Sequence, residues 1–202
     1  MERALALFRA LGRRDGEAVT LDHLGHVHGK MGAHQRAIGY HQESLALCRQ
    51  LGDRYGEAEA LDNLGQVYRR VGRYRQATEN RRRALELYRD IGIPSGEAEA
   101  LNGLGETLLA CSQPVDALAT HRTALRVATA FDDPYEQARA HQGIAECHHS
   151  AGDRAASCRH WRLALALYTR IEVPEAGEVQ ARLDGDGRLA ACNPSRPRRG
   201  GV

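Results

Sequence analysis

One hexapeptide pattern returns every forty residues: LDHLGH at 21, LDNLGQ at 61, LNGLGE at 101 and HQGIAE at 141. A chain that repeats in this way is built by stacking like units. Each unit buries its apolar face only against its neighbours, so length sets the number of units rather than of globular domains. Leu24, Leu64, Leu104 and Ile144 form one column, and Gly25, Gly65, Gly105 and Ala145 the next. Further columns are Ala37, Ala77, Ala117 and Ser157, then Ala4, Ser44, Ala84, Ala124 and Ala164 beside Leu5, Leu45, Leu85, Leu125 and Leu165. Small residues mark close approach of two helices, and large ones mark interdigitation.

Within a unit the apolar positions step by three and four, twice. Ala58, Leu61, Leu64, Tyr68 and Val71 make one run; Ala77, Ala84, Tyr88 and Ile91 follow in a second that also contains Arg81. The spacing predicts two helices of about 17–18 residues per unit. Gly52, Gly72 and Gly92 stand where a left-handed residue ends a helix. Asp53, Asp133 and Asp153 are expected N-caps, and Pro94, Pro114, Pro134 and Pro174 fall at or near first helical positions. No segment alternates with period two, so the fold class is all-α. The units are 13–52, 53–92, 93–132 and 133–172. A partial repeat, 1–12, supplies only a second helix, and 174–183 reads as a capping helix. The stretch 184–202 loses periodicity and is expected to be a disordered tail.

The Leu-Gly, Ala and Ala-Leu columns resemble the tetratricopeptide repeat, in a long form of about forty residues instead of about 34. In wording, with LGDRYGEAEALDNLGQVYRRVGRYRQA as the clearest unit, the chain is similar to the C-terminal repeat arrays of bacterial SARP- and NB-ARC-type transcriptional regulators. That resemblance implies a right-handed α-solenoid of antiparallel helix pairs whose first helices line a concave groove. Such regulators also carry DNA-binding and nucleotide-binding modules, and neither is found here. GHVHGK at 25–30 is one residue short of a phosphate-loop motif and lies within a helical run. The chain begins in mid-unit, as expected for the tail of a longer regulator or for an array lacking an upstream repeat.

Net charge is +2, from 28 basic and 26 acidic side chains, which argues against direct nucleic-acid binding by this segment. No apolar run is long enough for a membrane span and no signal-peptide core opens the chain, so the expected location is cytoplasmic. Five cysteines without a C-x-x-C pair fit a reducing compartment. Cys48, Cys111, Cys147 and Cys158 occupy mainly apolar columns, which favours packing over a metal site. His23, His26 and His28 point in different directions around one helix. His28 shares its column with Tyr68 and Leu108 and reads as packing. The arginines of RRVGRYRQATENRRRALELYR circle their helix and read as a solvated face. The carboxylates are expected on solvated faces or, like Glu57 and Glu97, at helix starts. Neither catalysis, a cofactor nor a metal is expected.

One polar stripe remains about a third of a turn from the apolar face of each first helix. It contains Asp22, His23, His26 and Lys30 in one unit, then Glu59, Asp62, Asn63, Gln66, Arg69 and Arg70. Next come Glu99, Asn102 and Glu106, and finally Arg139, Gln142, Glu146 and His149. Amides can bond a peptide backbone and charges can select its side chains. The expected function is therefore a non-catalytic scaffold or sensor module that holds a protein or peptide in the groove. The column of Asn63 varies to His23, Gly103 and Gly143, which marks Asn63 as a candidate reader of the ligand. Two alternatives are a small-molecule or metal sensor using the histidines from His23 to His149, and self-assembly through the first helix. There Leu5, Phe8 and Leu11 are expected to lack a partner.

Overall fold

The structure, a computed structural model, describes residues 1–191. Ten α-helices follow one another: α1 (Glu2–Ala10), α2 (Arg14–Lys30), α3 (His34–Leu51), α4 (Arg54–Arg70), α5 (Tyr74–Ile91), α6 (Pro94–Ala110), α7 (Pro114–Ala130), α8 (Pro134–Ser150), α9 (Arg154–Arg170) and α10 (Glu175–Ala191). There is no strand among the described residues. The pairs α2/α3, α4/α5, α6/α7 and α8/α9 follow one another, stacked as an α-solenoid. Asp53, Asp133 and Asp153 cap α4, α8 and α9 by accepting from the backbone N–H three residues on. Pro94, Pro114 and Pro134 occupy the first turns of α6, α7 and α8.

Each helix from α1 to α9 is stopped by one residue of positive φ, and these stops recur every twenty residues. Glycine fills six of them, at 12, 32, 52, 72, 92 and 152, while Ser112, Asp132 and Glu172 fill the others at φ 59°, 50° and 55°. A Cβ in that region costs about 1 kcal/mol or more. Glu172→Gly and Ser112→Gly are therefore each expected to raise unfolding free energy by about 0.5–1 kcal/mol, less than the full penalty because glycine adds unfolded-state entropy. Urea unfolding of the two variants checks this.

The alanine columns lie at the closest approaches: Ala37, Ala77, Ala117, Ala84, Ala124 and Ala164 are fully buried. At the first three junctions the second helix of one unit is tied to the next by the same ion pair, Arg9–Glu17, Arg49–Glu57 and Arg89–Glu97, at 2.7–2.8 Å. Exposed pairs of this kind contribute little stability but help fix register. First helices touch across units, α2 with α4, α4 with α6 and α6 with α8, whereas successive second helices make no comparable contact among the described residues. The stack therefore bends towards its first helices, which form the concave wall.

Two expectations at the ends change. Leu5 is buried and Phe8 packs over Gly16 of α2, whereas Leu7 of α1 and Leu11 just after it remain open. Helix α10 continues to Ala191, so 184–191 is helical; the remainder of the expected tail, 192–202, lies outside the described residues.

Candidate binding groove

Between the two helices of each unit sits a side chain from a column of which the periodicity took in only Arg81. His41, Arg81, His121 and Trp161 project from α3, α5, α7 and α9 and are at most 2% exposed. The Leu-Gly glycines make room for them. A Cβ on Gly25, Gly65 or Gly105 would stand 2.6 Å from His41, Arg81 or His121. The plugs also reach into the next unit. A Cβ on Gly143 would lie 2.3 Å from the His121 ring, and one on Gly103 would fall almost on Arg81 Nη1. Where the plug is His41 the next unit carries a polar side chain at this position, Asn63.

Each polar plug faces a residue of the expected stripe. His41 Nδ1 donates to Asp22 Oδ1 at 2.7 Å, and Arg81 Nη1 lies 3.8 Å from Asp62 Oδ1. Asn102 donates through Nδ2 to Glu136, so its Oδ1 accepts from His121 Nδ1 at 3.0 Å. Burial drops the His121 imidazole to about 4, so it is neutral at physiological pH. Three expected reading residues are corrected by this arrangement. Asp62 and Asn102 are 5% and 0% exposed, sealed beneath the wall by their plugs. Half-buried Asn63 donates to both Asp22 oxygens at 3.0 and 3.2 Å, bridging two units. Asn63 is thus part of the packing between units rather than free of it. Arg81, read as part of a solvated face, is likewise buried.

A second substitution pattern produces the most charged part of the wall. Phe8, Cys48 and Tyr88 pack directly on Gly16, Gly56 and Gly96. One unit further the large residue is Ala128 and the glycine is Glu136, a buried carboxylate rather than a solvated one. From Glu136 a chain of charges crosses the wall. Arg139 donates to Glu136 at 3.0 Å and to Glu106 at 2.7 Å, and Arg69 reaches Glu106 at 3.2 Å from the other side. Burial alone would raise the Glu106 carboxyl, but Arg139, Arg81 and Arg69 outweigh it and hold it at about 2.

The rest of the stripe is open or half-open. His23, His26, Lys30, Arg70, Glu99 and His149 are exposed; Glu59, Gln66, Gln142 and Glu146 are half-buried. Arg70 donates to Gly29 O at 3.3 Å, Tyr55 to Glu59 at 2.9 Å and Gln142 to Glu146 at 3.3 Å. Glu99 is raised to about 7, first by the protein packed around its carboxyl and then by Asp62 and Glu136. Its side chain still opens to the groove, and solvent moderates that effect. A raised carboxyl contributes stability at low pH that is lost as pH rises through about 7. Glu99→Gln is thus expected to be more stable than the parent at pH 8, with the difference shrinking towards pH 5 in parallel thermal melts.

The cysteines behave as lattice residues. Cys48 and Cys147 are buried, and burial pushes their thiols up, Cys147 to about 11. His28 stacks on Tyr40 at 5.2 Å. Among the described residues no group of three or more His, Cys, Asp and Glu side chains converges as metal ligands, and no helix is long and apolar enough to cross a membrane.

Stacked helix pairs with a Leu-Gly first helix and small-residue second helix are the geometry that decides the assignment. Residues 16–90 match the tetratricopeptide repeat family. These residues carry tetratricopeptide repeats. Solved structures extend the likeness in fold to most of the chain. A Rap protein complexed with competence and sporulation factor is 18% identical with a TM-score of 0.78, over 87% of this chain and 51% of that one. BtubC from P. vanneervenii is 17% identical with a TM-score of 0.66, over 94% and 70%. A signal transduction ATPase with a tetratricopeptide repeat sensor, from Pyrococcus horikoshii, is 15% identical with a TM-score of 0.70, over 83% and 26%. The chain thus spans about half of the Rap chain and a quarter of the ATPase. Among curated protein sequences none matches.

Proposed function

We propose that this tetratricopeptide array is a non-catalytic scaffold or sensor segment of a regulatory protein that holds a peptide or an extended protein segment in its concave groove. The observation that carries this reading is the division of labour along the first helices. Asp62 and Asn102 are consumed by the plugs, and Asn63 is tied to Asp22. His23, His26, Gln66, Arg70, Gln142, Glu146 and His149 keep polar surface open on one continuous wall. Open amides and charges of both signs on a preformed concavity suit a peptide's backbone and side chains together. The Rap protein above is in complex with a factor, and the repeat segment of the Pyrococcus protein is described as a sensor; both are in keeping with this use. Selection from a random peptide library tests it. Enriched peptides should bind the parent chain, lose at least about tenfold affinity for Gln66→Trp, which fills the groove, and bind Val115→Trp unchanged. Binding lost on Val115→Trp and kept on Gln66→Trp would overturn it.

A further inference from the structure

At one place in the groove two carboxylates on neighbouring helices are left unpaired by its own cations. Glu59 of α4 and Glu99 of α6 are equivalent residues forty apart on neighbouring helices of the concave wall. Their column holds Val19 before them and Arg139 after, so the paired carboxylates occur only here. Among the described residues neither makes an ion pair, whereas Glu106 and Glu136 are both held by Arg139. His23 acts on Glu59 from α2, and Arg139 and Arg81 act on Glu99, but from beyond ion-pair distance.

Two further features converge on the same spot. Tyr55, 48% exposed, stands in the first turn of α4 with its ring edge-on to Tyr88 at 6.3 Å. Its hydroxyl donates to Glu59, and Tyr88 packs in turn on Gly96 of α6, three residues before Glu99, which sets Tyr55 beside the turn that carries Glu99. Beneath them Asp62 is 5% exposed, and its Oδ1 accepts no hydrogen bond; its only cation, Arg81 Nη1, is 3.8 Å away. Asp62 follows Glu59 by three residues on α4 and is the strongest single charge acting on Glu99.

We propose that Tyr55, Glu59 and Glu99 form a recognition site for a basic side chain of the bound peptide, a guanidinium or ammonium group, with Asp62 supplying negative field from below. Two carboxylates on adjacent helices bracket the cation. The Tyr55 ring offers a face for cation–π contact and for the aliphatic stem. A planar guanidinium, which forks to carboxylates and stacks on rings, suits the site better than an ammonium. The burial and like charge that raise Glu99 are relieved when a cation arrives, so binding releases a proton at neutral pH. The proposal rests on the groove reading above and adds to it the kind of side chain selected.

The test uses N-acetyl-argininamide and its neutral isostere N-acetyl-citrullinamide, titrated into the full chain and followed by NMR. The expected result is saturable shifts at Tyr55, Glu59 and Glu99 with the arginine compound only, and a fall in the Glu99 titration midpoint when it is bound. Affinity should drop about tenfold in Glu59→Gln/Glu99→Gln and clearly in the surface variant Tyr55→Leu. Equal response to the citrulline compound, or shifts confined to other carboxylates such as Glu146, would overturn the proposal. Library peptides that bind in the groove without enriched arginine or lysine would overturn it too, while leaving groove binding intact. A library yielding no groove-binding peptide, beside a specific response to arginine, would instead remove the groove reading and keep the cation site.

Discussion

Gly96→Ala is expected to destabilise the array by about 1–3 kcal/mol, although alanine is the better helix former by about 1 kcal/mol. A Cβ at Gly96 would stand 2.4 Å from the Tyr88 ring, and Tyr88 is 3% exposed with its ring wedged between units. A rigid buried ring cannot swing aside as a lysine stem would. Tyr88→Ala alone should cost about 3–5 kcal/mol as a large-to-small core change. The double variant should cost less than the sum of the two by about 1–2 kcal/mol, because the new methyl group enters space the ring has left. Nature's own version of this exchange is Ala128 with Glu136. Urea unfolding of the four-member cycle measures the coupling, and a neutral or stabilising Gly96→Ala would show that the large-residue and glycine columns are not linked.

Arg139→Ala is expected to cost about 2–4 kcal/mol at pH 7, below the upper end for a broken buried pair because 15% of the Arg139 side chain meets solvent. It would strand Glu136, 5% exposed, and Glu106, which now accepts from Arg139 at 2.7 Å. The sign with pH follows from Glu106. Its folded value of about 2 lies below the ordinary one near 4.3. The stability it contributes is therefore present above the ordinary value and is lost as pH falls towards 2. In Arg139→Ala that contribution is largely gone, so parent and variant should converge as the pH drops from about 5 to about 2. Arg139→Met, which keeps the stem, separates lost packing from lost charge. A stability gap that stays constant over that range would exclude the electrostatic account.

How much of this was legible in the sequence depends on which residues are considered. The forty-residue columns pointed to two helices per unit, to the Asp caps and to the glycine stops at 52, 72 and 92, because each is a local requirement that recurs; the stops at Ser112, Asp132 and Glu172 carry no such signal. Gly25, Gly65 and Gly105 were correctly read as points of close approach. What approaches was not legible, since the column runs His41, Arg81, His121 and Trp161 and so keeps neither one charge nor one shape. The pairing of that column with Asp22, Asp62 and Asn102, nineteen residues earlier, is visible in the sequence once sought. Searching for columns that vary together would have found it, and Phe8/Gly16 against Ala128/Glu136 as well. Helical phase alone put Asp62, Asn63 and Asn102 on the groove face, but phase gives direction and not depth, and the plugs decide depth. Glu59 and Glu99 were in the stripe from the start, whereas Tyr55 entered only when its ring was seen against Tyr88.

The central claim is that ligand lies along the first helices. Photo-crosslinking a selected library peptide carrying a benzoylphenylalanine, followed by mass-spectrometric mapping, tests it most directly. The account predicts adducts in α2, α4, α6 and α8, concentrated near His26, Gln66, Gln142 and His149. Adducts confined to α3, α5, α7 and α9 would contradict it.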